Sequence, residues 1–125
     1  MHRESFDLSA RAADAIQRTR QAGRRIVAVG TTTLRVLETV AHQHGGRLVA
    51  GSGETEIFIH PPFEFRAVDA LITNFHLPQS TLLMLACAFT EPGGTAGRAR
   101  LLDCYNQAVQ REYRFFSYGD AMLIQ

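Results

Sequence analysis

The sequence predicts an α/β fold with a mostly parallel sheet flanked by helices. Short apolar runs with a β-branched bias, above all residues 26–29, alternate along the chain with segments whose apolar residues recur at helical spacing. A strand that is apolar on both faces is typical of a parallel sheet covered by helices. The chain has 125 residues, 46% of them hydrophobic, which is enough for one domain with a modest core. We therefore expect a single α/β domain over residues 1–125.

The first half of the chain is expected to follow a helix, strand, helix, strand order. Ser9 can cap the first helix and Gly23 can end it. Gly30 turns the chain after the first strand, and residues 42–46 end the second helix. Pro61 interrupts the second strand because proline cannot continue a ladder of hydrogen bonds. The predicted elements are a helix at 9–22, a strand at 26–29, a helix from 34 to about 42, a loose link at 47–53 and a strand at 54–59.

The second half is expected to contain a strand, a polar elbow, two helices and a final strand. Pro78 fixes the chain ahead of the first of these helices, so the elbow should be stiff. Glycine and proline over residues 91–97 predict a flexible surface loop between the helices. Val109 is expected on the buried face of the second helix. The predicted elements are a strand at 67–73, the elbow at 73–79, helices at 80–89 and 98–112, and a strand near the end of 113–124.

Composition narrows the class of protein without choosing a partner. The formal net charge is +1, and all 13 basic residues are arginine. Planar arginine donors suit phosphate and carboxylate ligands, although a coding bias explains the same composition. Cys87 and Cys104 give no disulfide framework, so buried free thiols, and with them a cytoplasmic protein, are expected. The N-terminus is too polar for a signal peptide, and the longest apolar run, 82–89, is too short to span a bilayer.

A turn directly before the second helix is a candidate anion site. Gly30, Thr31 and Thr32 precede backbone N–H groups and a helix dipole that favour negative charge. Arg35 could aim its guanidinium at the same anion, and Glu38 lies one turn further on the same helix face. Two plainer explanations stay open: a threonine is simply the N-cap, or Arg35 and Glu38 form a solvated ion pair.

The elbow is the richest source of hydrogen-bonding groups in the chain. His76 could accept or donate a proton near neutral pH, and Asn74 can both donate and accept toward a nucleobase or a ribose. The plainer explanation for His76 is a loop histidine bound to backbone groups. The candidate ligand-binding side chains of the elbow are Thr73, Asn74, His76, Ser80 and Thr81.

The anion turn and the elbow could form one site. Ligands of parallel sheets bind outside the carboxyl ends of the strands. Residues 30–33 and residues 73–79 both follow a predicted strand. If both strands are parallel, the two loops meet at the same edge of the sheet.

The N-terminal segment offers two further candidates. The side chains of His2 and Glu4 share one side if the segment is extended. No third ligand stands at a diagnostic spacing, so we expect no metal site, and a solvated terminus is the plainer explanation.

The C-terminal segment mixes arginines with aromatic residues. Such mixtures can stack bases and neutralise phosphates, which makes Arg114, Phe115 and Tyr118 candidate nucleic-acid contacts. The plainer explanation is that a phenylalanine belongs to the core and the arginines to the surface. Asp120 follows a glycine and could hold a substrate cation or cap a turn.

These motifs together resemble one family, the S-adenosylmethionine:tRNA ribosyltransferase-isomerases of queuosine biosynthesis. The resemblance covers nearly the whole chain. Members of the family are much longer, so the resemblance implies a C-terminal part that lacks an inserted β-barrel domain and the first part of the sheet. The segments that carry it are His2 and Glu4 after Met1, residues 29–32 with Arg35 and Glu38, residues 57–59 with Pro62 and Phe65, the elbow region 69–85 and the tail 113–124.

The resemblance implies a reaction on tRNA with S-adenosylmethionine as a co-substrate and with no true cofactor. S-adenosylmethionine gives its ribosyl unit to the aminomethyl group of a 7-deazaguanine base at the tRNA wobble position. Epoxyqueuosine-tRNA forms, and adenine and methionine leave. The implied partners are tRNA and S-adenosylmethionine, together with the missing N-terminal part or a second copy of the chain.

The resemblance also suggests roles for the candidate residues. His76 would move a proton, with Asp120 as a second catalytic candidate. Two other classes stay open: a non-catalytic nucleotide-binding module, and an assembly piece of a split enzyme that associates through apolar sheet edges. The expected binding groups are Thr73 and Asn74 for the ribose or base, Gly30–Thr32 and Arg35 for the methionine carboxylate or a phosphate, and Arg114 and Phe115 for the tRNA.

Overall fold

The computed structural model describes residues 2–125 and contains alternating strands and helices, including parallel strand pairing. The predicted α/β class is therefore confirmed. The four helices lie close to their predicted positions, whereas the strands differ more. In chain order the elements are β1 (Glu4–Leu8), α1 (Ala10–Gln21), β2 (Val27–Val29), α2 (Thr31–Gln43), β3 (Gly51–Thr55), β4 (Ala70–Asn74), α3 (Thr81–Thr90), α4 (Gly97–Gln110) and β5 (Ala121–Ile124).

The chain divides into two compact units. The first unit contains the residues up to Ile57 together with Arg66–Leu71. The second unit contains Phe58–Phe65 and Ile72–Gln125. Strand β4 crosses this boundary, and its end leads into the elbow of the second unit. The expectation of a single domain stays a prediction.

The first unit contains a pair of strands that the sequence did not predict in this form. Strands β1 and β3 pair antiparallel, with Glu4 opposite Thr55 and Leu8 opposite Gly51. The prediction of a loose link up to residue 53 and a strand at 54–59 was wrong, because β3 lies at Gly51–Thr55. Glycines within this stretch hid the strand, since glycine is depleted in strands. At Gly53 a Cβ would lie 3.0 Å from the Phe6 ring, so glycine makes room for the cross-strand aromatic residue.

Strand β2 is buried on one face only. Ile26, just before the strand, and Ala28 are buried at 8% and 1% exposure, whereas Val27 and Val29 are 47% and 67% exposed. Helix α2 packs against β2 and covers one of its faces. Successive strand residues point to opposite faces, so Val27 and Val29 share the face that the described residues 2–125 leave exposed. The prediction of a strand buried on both faces was therefore wrong for this part of the chain.

Strand β4 begins later than predicted because the backbone N–H groups just before it donate hydrogen bonds to a side chain instead of to a neighbouring strand. The N–H groups of Ala67 and Val68 both donate to the carboxylate of Glu38, at 3.0 Å each. Pairing with the segment before β2 begins one residue later, where the N–H of Asp69 donates to the carbonyl of Ile26 at 2.8 Å. The apolar residues at 67 and 68 resemble a strand in sequence, but their donors are used elsewhere.

The second unit is built on the packing of α3 against α4, with β5 hydrogen-bonded to β4. Two sequence predictions fail on α4: Cys104 is exposed rather than buried, and Val109 is 62% exposed. The buried face of α4 therefore includes fewer residues than the apolar pattern of the sequence suggested. The buried cluster consists of Phe75, Ala86, Cys87, Leu101, Tyr105 and Ala108. No helix within residues 2–125 combines the length and the apolar character needed to cross a membrane.

Gly97→Ala is expected to destabilise the second unit by about 1–3 kcal/mol, the usual cost of overpacking. The first residue of α4 approaches α3 so closely that a Cβ at position 97 would lie 2.2 Å from the carbonyl oxygen of Cys87. A backbone atom cannot move aside cheaply, so the helices must separate. Urea unfolding followed by circular dichroism measures the loss.

Gly94→Ala is the matched control for this variant. A Cβ there would lie 2.3 Å from Oε1 of Glu91, which is the flexible end of a side chain and can rotate away. The control should therefore lose much less stability. Equal losses in the two variants would show that the α3–α4 approach is not the cause.

Candidate functional site

The elbow holds His76 in a defined position at the end of β4. His76 is 7% exposed, and its Nε2 lies 2.9 Å from the Thr73 hydroxyl. Its backbone N–H donates to the Tyr105 hydroxyl of α4 at 2.8 Å. The alternative of a loop histidine whose ring binds backbone groups is not what these contacts show, because the ring is bound by a side chain. Sequence reasoning did not identify Tyr105, whose hydroxyl accepts this hydrogen bond from the elbow.

Burial decides the protonation state of His76. Removing the ring from water disfavours the imidazolium, which lowers the pKa of His76 below its ordinary value of 6.5. The ring is therefore neutral at physiological pH. A neutral imidazole can accept a proton, which fits a general base better than a general acid.

The titration midpoint of His76 in the folded protein is expected below 6.5, measured from the ring proton signals by NMR. Because the unfolded chain binds the proton more readily, His76 contributes stability that is fully present above the unfolded pKa. That stability is lost as the pH falls from about 6.5 toward the folded pKa. A midpoint at or above 6.5 would overturn the neutral assignment.

The remaining elbow candidates differ in their availability. Asn74 is exposed at the last position of β4 and can reach a ligand. Ser80 is the N-cap of α3, and its hydroxyl accepts from the N–H of Leu83 at 3.1 Å. Thr81 is half-buried at the first position of the helix. Ser80 therefore has a structural role that does not depend on a ligand, whereas within residues 2–125 the side chain of Asn74 makes no capping contact of this kind.

The turn before α2 has the backbone form that the sequence predicted. Gly30 adopts φ +93°, a conformation that L side chains rarely adopt, and it is the N-cap of α2. No side chain caps this helix, so the alternative of a capping threonine was wrong. The N-terminal N–H groups of α2 therefore remain oriented toward an incoming acceptor.

A carboxylate of the chain itself lies at this turn. The hydroxyl of Thr32 donates to Oε1 of Glu4 at 3.0 Å, and the other Glu4 oxygen forms an ion pair with Arg35. Arg35 also donates to the carbonyl oxygens of His2 at 2.9 Å and Ile57 at 3.3 Å. Glu4 is thus part of a network rather than of a solvated terminus, and His2 contributes its carbonyl group.

Arg35 and Glu38 are not a solvated pair. The two residues are 3% and 0% exposed, and neither binds the other in the contacts observed. Glu38 accepts from the N–H groups of Arg66, Ala67 and Val68 at 2.9–3.0 Å. Nε2 of His42 also lies 3.6 Å from Oε2 of Glu38. Although Arg35 and Glu38 lie on the same helix face, they are two separate buried charges. Arg35 binds the N-terminal segment and Ile57, whereas Glu38 binds the segment at residues 66–68.

The C-terminal candidates are linked to each other and to the core. Asp120 accepts from the backbone N–H of Arg114 at 2.5 Å and from its Nε at 3.3 Å. This donated backbone hydrogen bond, and then the side chain of Arg114, hold the pKa of Asp120 below its ordinary range. Phe115 packs on Phe75 at 5.0 Å between ring centroids, which favours the core explanation. Tyr118 is 71% exposed, and its contact with a base stays a prediction.

The candidate residues fall into both compact units. Gly30–Thr32, Arg35, Glu38 and Glu4 belong to the first unit, whereas the elbow and the tail belong to the second. The joining of the anion turn and the elbow into one site stays a prediction. Within residues 2–125 no group of three or more histidine, cysteine or acidic side chains is placed to hold a metal ion.

Comparison with known proteins identifies the family. The profile of the family described as Queuosine biosynthesis protein matches residues 1–124. A curated relative, S-adenosylmethionine:tRNA ribosyltransferase-isomerase of Heliobacterium modesticaldum, is 55% identical over 124 residues that cover 99% of this chain and 34% of the relative. The crystal structure of S-adenosylmethionine tRNA ribosyltransferase from Thermotoga maritima superimposes with a TM-score of 0.83 and 49% identity, covering 97% of this chain and 40% of that one. The chain spans about a third of the length of the curated relative, and it belongs to the queuosine biosynthesis protein family.

Proposed function

We propose that this chain forms part of an S-adenosylmethionine:tRNA ribosyltransferase-isomerase. The names of its relatives, and their match to nearly all of the chain, support this activity. In the proposed reaction the ribosyl unit of S-adenosylmethionine passes to the aminomethyl group of a 7-deazaguanine base in tRNA. The unit rearranges to the epoxycyclopentyl group of epoxyqueuosine, while adenine and methionine leave.

The observation that supports a catalytic role most strongly is the buried, neutral His76 in the elbow. The Thr73 hydroxyl fixes the ring at 2.9 Å, and Tyr105 fixes the backbone of the same residue at 2.8 Å. A preorganised neutral base of this kind suits removal of a proton from the amine or from the carbon beside a sulfonium. In our proposal the exposed Asn74 holds the ribose or the base.

The other candidate residues receive roles consistent with their contacts. The uncapped start of α2, at Gly30–Thr32, would bind a phosphate, with Arg35 holding Glu4 in place beside it. Glu38 would fix the segment that leads into β4. Arg114 and Asp120 would shape the tail so that the exposed Tyr118 can stack on the tRNA. These roles need the rest of the enzyme, because the chain spans about a third of the curated relative.

A chimera tests the proposal. This chain replaces the matching segment of the Heliobacterium modesticaldum relative, and release of adenine is measured with S-adenosylmethionine and tRNA carrying the aminomethyl base. The chimera should be active, and His76→Ala in it should lower kcat roughly 100-fold, the lower range for loss of a general base. His44→Ala, at the exposed end of α2, is the matched control and should retain activity. Normal turnover of the His76→Ala chimera would remove the proton-transfer role.

A second candidate function is an assembly piece of a split enzyme. The exposed Val27 and Val29 on one face of β2 favour it, since a partner chain could cover these apolar side chains. Sedimentation of the isolated chain decides this point. A monomer at all concentrations would count against self-association.

A further inference from the structure

A cavity of about 270 Å³ lies beside the elbow, within the second unit. The elbow contributes Gln79 and Ser80 to its lining, α4 contributes Arg98, and Pro61 also lines it. Helix α3 contributes Leu83, Met84 and Cys87. The cavity therefore combines an apolar wall with one cationic side chain, the composition of a small-molecule site.

The apolar wall is open and adaptable. Met84 is 41% exposed, so part of its side chain is open to a ligand. Methionine is flexible and polarizable, which lets it follow the shape of an aliphatic or thioether ligand. Cys87, also in the wall, is buried, and burial raises the pKa of its thiol. The wall is therefore uncharged at neutral pH.

Arg98 supplies the positive charge without an internal partner. Among residues 2–125 no carboxylate forms an ion pair with it. Its guanidinium acts electrostatically on the thiol of Cys87, partly opposing the effect of burial on the pKa of that group, so the charge lies near the cavity wall. Arg98 is also the second residue of α4, a helix without a side-chain N-cap. Guanidinium and helix start both favour an anionic group here.

The elbow side of the cavity is polar and conformationally strained. Gln79 adopts φ +62°, which is uncommon for a residue other than glycine. Such strain tends to occur where the chain positions groups for a ligand. The side-chain amide of Gln79 can accept a hydrogen bond from an ammonium group. His76 lies only three positions earlier in the same elbow.

We propose that this cavity binds the amino-acid end of S-adenosylmethionine. The aliphatic chain packs against Met84 and Leu83, and the carboxylate pairs with Arg98. The volume fits this choice, because sites for whole drug-sized ligands span about 300–1,000 Å³ and this cavity lies just below that range. The identity of the ligand rests on the proposed function, whereas the cavity, its cation and its apolar wall do not.

Titration of the isolated chain with two small probes tests the proposal by NMR. L-Methionine carries the carboxylate, and L-methioninol has the same side chain and ammonium group with a hydroxymethyl group instead. The methyl signal of Met84 should shift with L-methionine, and L-methioninol should bind at least roughly tenfold more weakly, which corresponds to about 1.4 kcal/mol. Equal binding of the two probes, or no shift with either probe at millimolar concentration, would overturn the proposal.

Variants separate the carboxylate contact from a general effect of charge. Arg98→Ala should weaken L-methionine binding roughly tenfold and leave L-methioninol binding unchanged. Arg100→Ala, an exposed arginine on the same helix that does not line the cavity, is the matched control and should bind both probes normally. Unaltered L-methionine binding by Arg98→Ala would contradict the assignment. These readouts need neither tRNA nor turnover, so a chimera that releases adenine while its chain binds no probe would overturn only this inference.

Discussion

Replacing Glu38 with alanine is expected to lower the free energy of unfolding of the first unit by about 3–5 kcal/mol, the range for losing one partner of a buried charged network. The carboxylate is 0% exposed and accepts from the N–H groups of Arg66, Ala67 and Val68. After substitution the N–H groups of Ala67 and Val68 are left buried without an acceptor, and each such group costs about 1–3 kcal/mol. Urea unfolding followed by circular dichroism and by amide exchange at residues 66–68 measures the effect.

Glu38→Gln and Glu56→Ala complete the Glu38 experiment. The amide introduced by Glu38→Gln would keep one acceptor oxygen but would turn an NH₂ group toward a backbone donor, so an intermediate loss is expected. Glu56 is an exposed glutamate, 63% accessible at its side chain, whose pairing with Arg3 should contribute no more than about 1 kcal/mol. If Glu38→Ala lost as little stability as Glu56→Ala, the carboxylate would not be what holds the segment before β4.

Glu38 also shows what the sequence could and could not predict about the fold. Apolar periodicity located all four helices, and Ser9 was correctly expected to cap α1, where its hydroxyl accepts from Ala12 at 3.1 Å. The same periodicity cannot tell a buried charge from a surface charge, because burial depends on residues that are distant in sequence. The partners of Glu38 lie 28–30 positions away. The pairing of β1 with β3 was missed because glycines hid β3 and because its partner strand is also distant in the sequence.

For the candidate site, as for the fold, the sequence indicated local features and missed contacts between distant residues. The elbow and the glycine turn were found because polar groups at strand ends are local features of the sequence. Tyr105 and Arg98 were not among the sequence candidates, since both lie on α4 and reach the elbow region only through packing of the second unit. Phe115 shows where sequence leaves two alternatives open: an aromatic residue among arginines suggests RNA contact, whereas the packing of its ring on Phe75 and Tyr105 favours the core alternative. Its contact with RNA stays a prediction.

Replacing Arg35 with alanine is expected to destabilise the first unit by about 3 kcal/mol, near the lower limit for breaking a buried pair. The guanidinium is 3% exposed and joins three segments through Glu4, the carbonyl of His2 and the carbonyl of Ile57. The loss stays near the lower limit because the Glu4 side chain is 31% exposed and can regain water. Arg35→Lys should recover only part of it, since an ammonium group lacks the planar fork that serves several acceptors.

Arg3→Ala is the matched control for Arg35, and the comparison links stability to the proposed anion site. Arg3 is 60% exposed and pairs with Glu54 and Glu56, so its removal should cost no more than about 1 kcal/mol in urea unfolding. Without Arg35, the carboxylate of Glu4 remains beside Thr32 with no cation to balance it. An anion at the start of α2 would then be repelled, so Arg35→Ala should weaken phosphate binding there, whereas Arg35→Ala with Glu4→Gln should restore part of it. If the Arg35→Ala protein proved as stable as the Arg3→Ala protein, the network would not be what holds β1 to α2.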